Sequence, residues 1–303
     1  MFLRHLPYHV VVEEGRAAGF EEGPTRPGVR QSDSLGLGWA ENNKNKGFLM
    51  EISSHINANV AHIQLNTPHT LNALTLNMGQ AIKQLLSDID HNPDISVIVL
   101  ESSVGKAFSA GIDLKEFQTN PSQEYRKAFL SAWESVSNVS KPIIVALHGY
   151  VLGGGLEVAL IGDILIAADN AVFSQPELSV GTIPGMGATQ RLSRRIGVTR
   201  AYDMILTGRR IDAATAYNWG LVSAVVPFNQ LQQTVNTMAQ AVATKSLPIL
   251  IKAKSALKRS ESLLLPEGLA CEKELFLQTF SLADQQEGFC AFIEKRPPIF
   301  KNV

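Results

Sequence analysis

Three short stretches of the chain concentrate residue types that can do chemistry. The first is Gly149-Tyr150-Val151-Leu152-Gly153-Gly154-Gly155-Leu156-Glu157, where an apolar strand runs through three glycines into a helix. N–H groups at a helix start lack intrahelical partners and glycines let a ligand approach the backbone, so a developing negative charge could be held here. A tight strand-to-helix connection without a ligand fits the same residues. Glu157 reads either as a catalytic carboxylate or as an acid favoured in the first turn of a helix.

The second stretch is Gly105-Lys106-Ala107-Phe108-Ser109-Ala110-Gly111-Ile112-Asp113-Leu114-Lys115, which follows a strand ending near Leu100. Loops at strand ends are the usual ligand site in α/β proteins, although Asp113 could simply cap backbone amides. The third is Phe173-Ser174-Gln175-Pro176-Glu177-Leu178-Ser179-Val180-Gly181, followed by Pro184-Gly185-Met186-Gly187. Glu177 in this apolar setting is either a surface carboxylate at a turn or a desolvated acid.

Other residues invite less. His148 reads as a packing residue, and Arg191, Arg194 and Arg195 as a solvated or interface face rather than a phosphate clamp. No His, Cys and carboxylate set has metal-ligand spacing, and no Ser or Cys lies in a nucleophile motif, so neither a metal nor a covalent intermediate is expected.

The elements that must position these residues alternate. Strands are expected at Met50–Ser54, Val60–Leu65, Val97–Leu100, Pro142–Leu147 and Ile164–Ala167, with helices at about Thr75–Ile89, Gln123–Val139 and Gly155–Ile161. This alternation predicts an α/β architecture. After about Pro227 only helices are expected, at Leu231–Thr244, Pro248–Ser260 and Glu267–Ala283.

The expected domains are therefore a disordered leader over 1–49, a core over 50–240 and a C-terminal helical region over 241–303. The leader is rich in Gly, Glu and Arg and weak in periodicity, and its acids Glu13, Glu14, Glu21, Glu22 and Glu41 argue against a mitochondrial presequence. Strand-like sequence starts directly after Met50, which makes Met50 an alternative start.

Lys plus Arg (27) and Asp plus Glu (28) nearly cancel in the 303 residues, so no overall field favours nucleic acid or an anionic membrane. No apolar run approaches the roughly 20 residues that span a bilayer. Two cysteines, Cys271 and Cys290, are too few for a disulfide-stapled secreted fold. A cytoplasmic location is expected, with the mitochondrial matrix left open.

Taken together, the three stretches closely resemble the enoyl-CoA hydratase/isomerase, or crotonase, family from about Glu51 to Lys301. The resemblance also rests on Asn72-Ala73-Leu74, Gly181-Thr182-Ile183-Pro184-Gly185, Thr189-Gln190-Arg191-Leu192, Leu206-Thr207-Gly208 and Gly220-Leu221-Val222. It implies a spiral of ββα turns, a C-terminal helical region that builds trimers, and commonly a homohexamer. It implies an oxyanion hole from the N–H groups of Ile112 and Gly154, and Glu157 and Glu177 as the catalytic pair. Coenzyme A, which enters as part of the substrate rather than as a cofactor, would meet the backbone around Ala73, Ala110 and Ile112, with Asp113, Leu114, Lys115, Phe276 and Lys295. Thr67 and His69 stand where relatives often carry basic residues.

Members that hydrate carry both glutamates, so the resemblance implies hydration of 2-trans-enoyl-CoA to 3-hydroxyacyl-CoA. The alternatives are a double-bond isomerase, in which the glutamate at the position of Glu157 is often replaced, and a non-catalytic acyl-CoA-binding or scaffold member of the fold.

Overall fold

The computed structural model describes residues 51–303. The expected leader and Met50 lie outside them. The first elements are a hairpin, β1 (Ile52–Asn57) and β2 (Val60–Leu65), paired from Ile52 opposite Leu65 to Asn57 opposite Val60. β1 therefore runs three residues beyond the expected end. Its polar second half is held extended by the ladder, and His55 stacks on His62 with ring centroids 4.5 Å apart, which hides the alternation from the sequence.

Helix α1 (Leu76–His91) starts where the Thr75 hydroxyl accepts a hydrogen bond from the N–H of Met78, a side-chain cap. Its buried face carries Met78, Ile82, Leu86 and Ile89. Strand β3 (Val97–Ser102) then continues the first sheet, and β4 (Ala107–Ser109) opens a second. Helices α2 (Leu114–Thr119) and α3 (Gln123–Glu134) follow, the latter ending in a 3-10 turn, Ser135–Asn138, rather than continuing to Val139.

The pattern then recurs. β5 (Ile143–Leu147), β6 (Tyr150–Leu152) and α4 (Gly154–Ala159) form one ββα turn, and β7 (Ile164–Ala168) and β8 (Val172–Ser174) begin another. Helices α5 (Ala188–Ile196), α6 (Val198–Thr207) and α7 (Ala213–Asn218) and strands β9 (Ile211–Asp212) and β10 (Ala224–Val226) complete it. One sheet has the order β1-β2-β3-β5-β7-β10, parallel from β2 to β10; the other has the order β4-β6-β8-β9. This is the expected α/β spiral, each turn placing a long strand in one sheet and a short one in the other.

The central parallel strands of the large sheet are buried on both faces, as parallel sheets require. Ile98, Leu100, Ile143 and Val145 face the main core, while Val97, Val99, Ile144 and Ala146 face a second one. Helix α8 (Leu231–Ala243) closes that second face with Leu231, Val235 and Ala239, one helical turn apart. Each fully buried Val or Leu of this kind contributes about 1.5–3 kcal/mol.

Three further helices end the chain: α9 (Leu247–Arg259), α10 (Leu265–Thr279) and α11 (Ala283–Ile293). The single helix expected up to Ala283 is thus divided, because Leu282 is extended and a new helix begins behind it. Asp284, buried in the first turn of α11, accepts from the N–H groups of Lys301 (2.7 Å) and Asn302 (2.8 Å) and so pins the chain end. Among the described residues no helix is long and apolar enough to cross a membrane.

Candidate active site

The Gly153 turn joins β6 to α4. Gly153 has φ +51° and ψ −127°, a conformation that L side chains rarely adopt. Its N–H donates to Ser174 O of β8 at 2.9 Å, which leaves Gly154 as the first helical residue with its N–H beyond reach of an intrahelical acceptor. A β-carbon on Gly154 would stand 2.9 Å from Cγ1 and 3.5 Å from the backbone N of Ile112. Only glycine lets the two segments come this close.

Ile112 is held from the other side. The N–H of Leu74 donates to Gly111 O at 2.7 Å and the N–H of Asp113 donates to Leu74 O at 3.0 Å, a parallel bridge that spans Ile112. In such a bridge the middle residue's own N–H points away from the partner strand. Asn72 anchors this pairing. Its side-chain amide donates to Phe108 O (2.9 Å) and Ser102 Oγ (2.8 Å), and its oxygen accepts the Thr67 N–H (2.7 Å). The two N–H groups named from the sequence, of Ile112 and Gly154, are therefore neighbours on fixed backbone.

Two carboxylates converge on the same turn. Glu157, 1% exposed, lies on α4; its Oε1 accepts the N–H groups of Met186 (2.8 Å) and Ala188 (2.9 Å), while Oε2 has no partner among the described residues. Burial pushes its pKa up, against the lowering effect of those backbone donors. Glu177, 8% exposed, opens a 3-10 turn, Glu177–Val180. Burial, with a further contribution from the charge of Glu157, pushes it up to about 7. With its amide nitrogen turned to this carboxylate, Gln175 donates to both oxygens at 2.7 and 3.0 Å. Glu177 is thus the desolvated acid of the two sequence readings.

Behind the Met186–Ala188 loop that holds Glu157 is a cavity of about 280 Å³, lined by Leu130, Trp133, Ile161, Met186 and Arg191 among others. The Arg191 guanidinium donates to Met186 O at 2.8 Å and steadies that loop. Arg195 departs from the expected solvated or interface face, because it reaches inward to Leu160 O and Gly162 O at 3.1 and 2.5 Å. Arg194 stays exposed and binds Gln190.

The remaining sequence candidates divide into two groups. Ala73 and Ala110 flank the Leu74–Ile112 bridge, and the Ala110 N–H donates to Leu71 O at 2.9 Å. The Asp113 carboxylate caps α2 by accepting from the N–H groups of Lys115 (2.9 Å) and Glu116 (3.1 Å), while Leu114 and Lys115 are exposed beside it. Phe276 on α10 and Lys295 after α11 are exposed, and among the described residues no hydrogen bond or aromatic contact joins them to the Ile112 loop. His148 packs as expected, its Nε2 2.9 Å from Val104 O and its ring 5.1 Å from that of Phe228. Gln175 and Asn72, both buried, lie inside quoted motifs but drew no role from the sequence; a polar side chain within an otherwise apolar or glycine-rich word was the available signal. Among the described residues no cluster of three or more His, Cys, Asp or Glu could hold a metal ion.

The model of the family described as "Enoyl-CoA hydratase/isomerase" matches residues 55–303. The chain belongs to this family. A Rhizobium meliloti protein named "Probable enoyl-CoA hydratase" is 44% identical over 244 residues, covering 80% of this chain and 95% of that one. A Pongo abelii protein named "Enoyl-CoA hydratase, mitochondrial" is 41% identical over 247 residues, 81% of this chain and 85% of that one. The crystal structure of an enoyl-CoA hydratase from Bacillus anthracis superposes with a TM-score of 0.80 at 35% identity, covering 84% of this chain and all of that one. A solved enoyl-CoA hydratase thus shares the fold of this chain.

Proposed function

We propose that the chain adds water to 2-trans-enoyl-CoA thioesters to give 3-hydroxyacyl-CoA. One observation carries this reading: two buried carboxylates, Glu157 and Glu177, meet at the same glycine turn that presents the backbone N–H of Gly154 next to that of Ile112. Attack of water on C3 of the enoyl group drives electrons onto the thioester oxygen, and the two N–H groups hold that charge as it develops. Losing one such donor costs on the order of 3 kcal/mol, about a hundredfold in rate.

Glu157, with Oε1 fixed and Oε2 free, orients the water and takes a proton from it. Glu177, whose pKa near 7 leaves it part-protonated at neutral pH, delivers a proton to C2. One water is consumed: its oxygen ends on C3, one of its protons passes to Glu157 while the proton of Glu177 ends on C2, and transfer of a proton from Glu157 back to Glu177, directly or through solvent, restores the pair. Because the pair is coupled, its two titrations belong to both residues together. No redox step or Lewis acid is needed, and coenzyme A is carried by the substrate.

The backbone around Ala73 and Ala110, with Asp113, Leu114 and Lys115, is assigned to the coenzyme A moiety. Phe276 and Lys295 are assigned to the same ligand, and the cavity beside Met186 to the acyl chain. The helical region 241–303 is assigned to assembly into a homotrimer or hexamer, supported by apolar side chains that α10 and α11 leave exposed, Phe292 to 85%. A reducing compartment, cytoplasm or matrix, suits its two free thiols.

The test is loss of the conjugated-thioester absorbance of crotonyl-CoA, with the product weighed. Gain of one water by the wild type, with Glu157→Gln and Glu177→Gln both crippled, supports the reading. An intact wild-type protein that leaves crotonyl-CoA unchanged but converts a 3-enoyl-CoA would replace hydration with isomerisation.

A further inference from the structure

Among the described residues, the hydrogen bonds to Glu157 come from backbone N–H groups alone. Burial raises its pKa, and the N–H groups of Ala188, Met186, Gly185 and Gly187 work the other way. Successive amides turned toward one carboxylate form an anion-binding concavity, which favours the ionised, proton-accepting form. The segment that carries them is intrinsically loose. Met186 lies between two glycines, and Gly187 has φ +116°, a region that glycine enters freely. No side chain caps the start of α5, whose N-cap is Gly187 itself. Something outside the loop must fix which way its peptides face.

Arg191, half-buried near the start of α5, folds back over that loop, and its Nη1 donates to Met186 O at 2.8 Å. A peptide is planar and trans, so its C=O and N–H point in opposite directions. Drawing Met186 O to the guanidinium therefore aims the N–H of the same peptide, that of Gly187, to the other side, where Glu157 lies. Were this peptide to turn over, a carbonyl oxygen would face the carboxylate and repel its charge. The guanidinium also fills the space beside Gly187, since a β-carbon there would overlap Nη1. Main-chain bonds complete the clamp: Gly187 O accepts the N–H groups of Gln190 (3.0 Å) and Arg191 (2.8 Å). Among the described residues Arg191 makes no ion pair and no other side-chain hydrogen bond, so this cation is committed to one carbonyl.

We propose that Arg191 is a positioning residue for Glu157: by holding Met186 O it keeps the 185–188 loop in the peptide orientation that makes Glu157 the proton acceptor of the pair. The inference rests on the two-glutamate hydratase reading and gives its division of labour a cause. Glu177, on which no such loop converges, is left as the proton donor. A guanidinium suits the task because a charged donor polarises the peptide it binds and so strengthens the N–H on the far side.

The test compares the full chain with its Arg191→Met and Arg191→Lys variants by two readings. Carbon-13 NMR of protein labelled at the glutamate carboxyls follows the titration of Glu157, assigned by its loss in Glu157→Gln. A Glu177→Gln background keeps the neighbouring carboxyl from titrating with it. Glu157 should titrate at higher pH in Arg191→Met, and Arg191→Lys, which can still donate to the same oxygen, should recover most of the change. With crotonyl-CoA and Glu177 intact, Arg191→Met should lose roughly tenfold or more in kcat, the size of one hydrogen bond to a charged group, with KM changed less than about threefold. Added to Glu157→Gln, it should cost nothing further. An unmoved Glu157 titration, a loss confined to KM, or the same loss in the Glu157→Gln background would each overturn the proposal. Should Arg191→Met fail to fold, Arg191→Gln, polar but too short to reach Met186 O, takes its place. A wild type that leaves crotonyl-CoA untouched would remove the hydratase reading, while the titration would still report whether Arg191 governs Glu157.

Discussion

Gly153 and Glu177 meet so closely that a β-carbon on the glycine would stand 3.2 Å from the carboxylate Oε1. The proposed proton donor is thus fitted against the backbone turn that presents the Gly154 amide. Gly153→Ala would impose strain at φ +51° and press on Glu177 together. We expect a loss of roughly a hundredfold in kcat, the size associated with one oxyanion donor, alongside about 1–2 kcal/mol of stability. Paired rate and melting measurements check it, and an active, unshifted variant would rule out the close fit.

The raised pKa of Glu177 has consequences in two pH profiles. A carboxyl whose folded pKa is about 7, against an ordinary value of 4.5, binds its proton more tightly when folded. Its contribution to stability is therefore complete below about 4.5 and is lost as pH rises through 7. Wild type should lose stability relative to Glu177→Gln over that window in denaturant titrations. The hydratase rate should fall on an alkaline limb near pH 7, where the proposed acid is consumed.

Gln175 donates to both oxygens of Glu177 and so favours its charged form. Gln175→Met, of similar volume, should move the alkaline limb upward. A pH–rate profile superimposable on wild type would separate the two residues.

Leu130 and Trp133 line the cavity behind Met186. Leu130→Trp should fill part of it, cutting kcat/KM for an octenoyl thioester at least tenfold while sparing crotonyl-CoA. An equal loss on both substrates would mean that the acyl chain runs elsewhere.

Two stability changes follow from geometry remote from the site. Ala58 holds φ +53° in the β1–β2 turn, so Ala58→Gly should stabilise by about 0.5–1 kcal/mol. Asp284→Ala, which leaves the Lys301 and Asn302 amides without their acceptor, should destabilise by about 1–3 kcal/mol in the same urea titration.

The fold class and the site words were legible because they are local. Apolar runs such as Val97–Leu100 are strands on any reading, and the glycines at 153 to 155 announce a turn. The division between α10 and α11 was hidden because apolar residues continue across Leu282. What Glu157 touches was also hidden: its partners are backbone amides 29 and 31 residues away, and backbone leaves no mark of its own in a sequence. Arg195 looked like part of a solvated or interface cluster because charge alone does not reveal that its guanidinium reaches carbonyls of the Leu160–Gly162 segment. The ββα turns repeat in space without repeating in sequence, since each needs only strand and helix patterns of the right length.

The Leu74–Ile112 bridge sets what this scaffold can vary. The groups that would polarise a thioester are peptide N–H groups, present whatever side chains flank them, while the proposed proton handling would rest on two replaceable carboxylates. Substitution at 157 or 177 would change which bond is made or broken and leave the carbonyl cradle in place. A scaffold arranged in this way can exchange one reaction for another on the same thioester by single substitutions, without rebuilding the part that makes the carbonyl reactive.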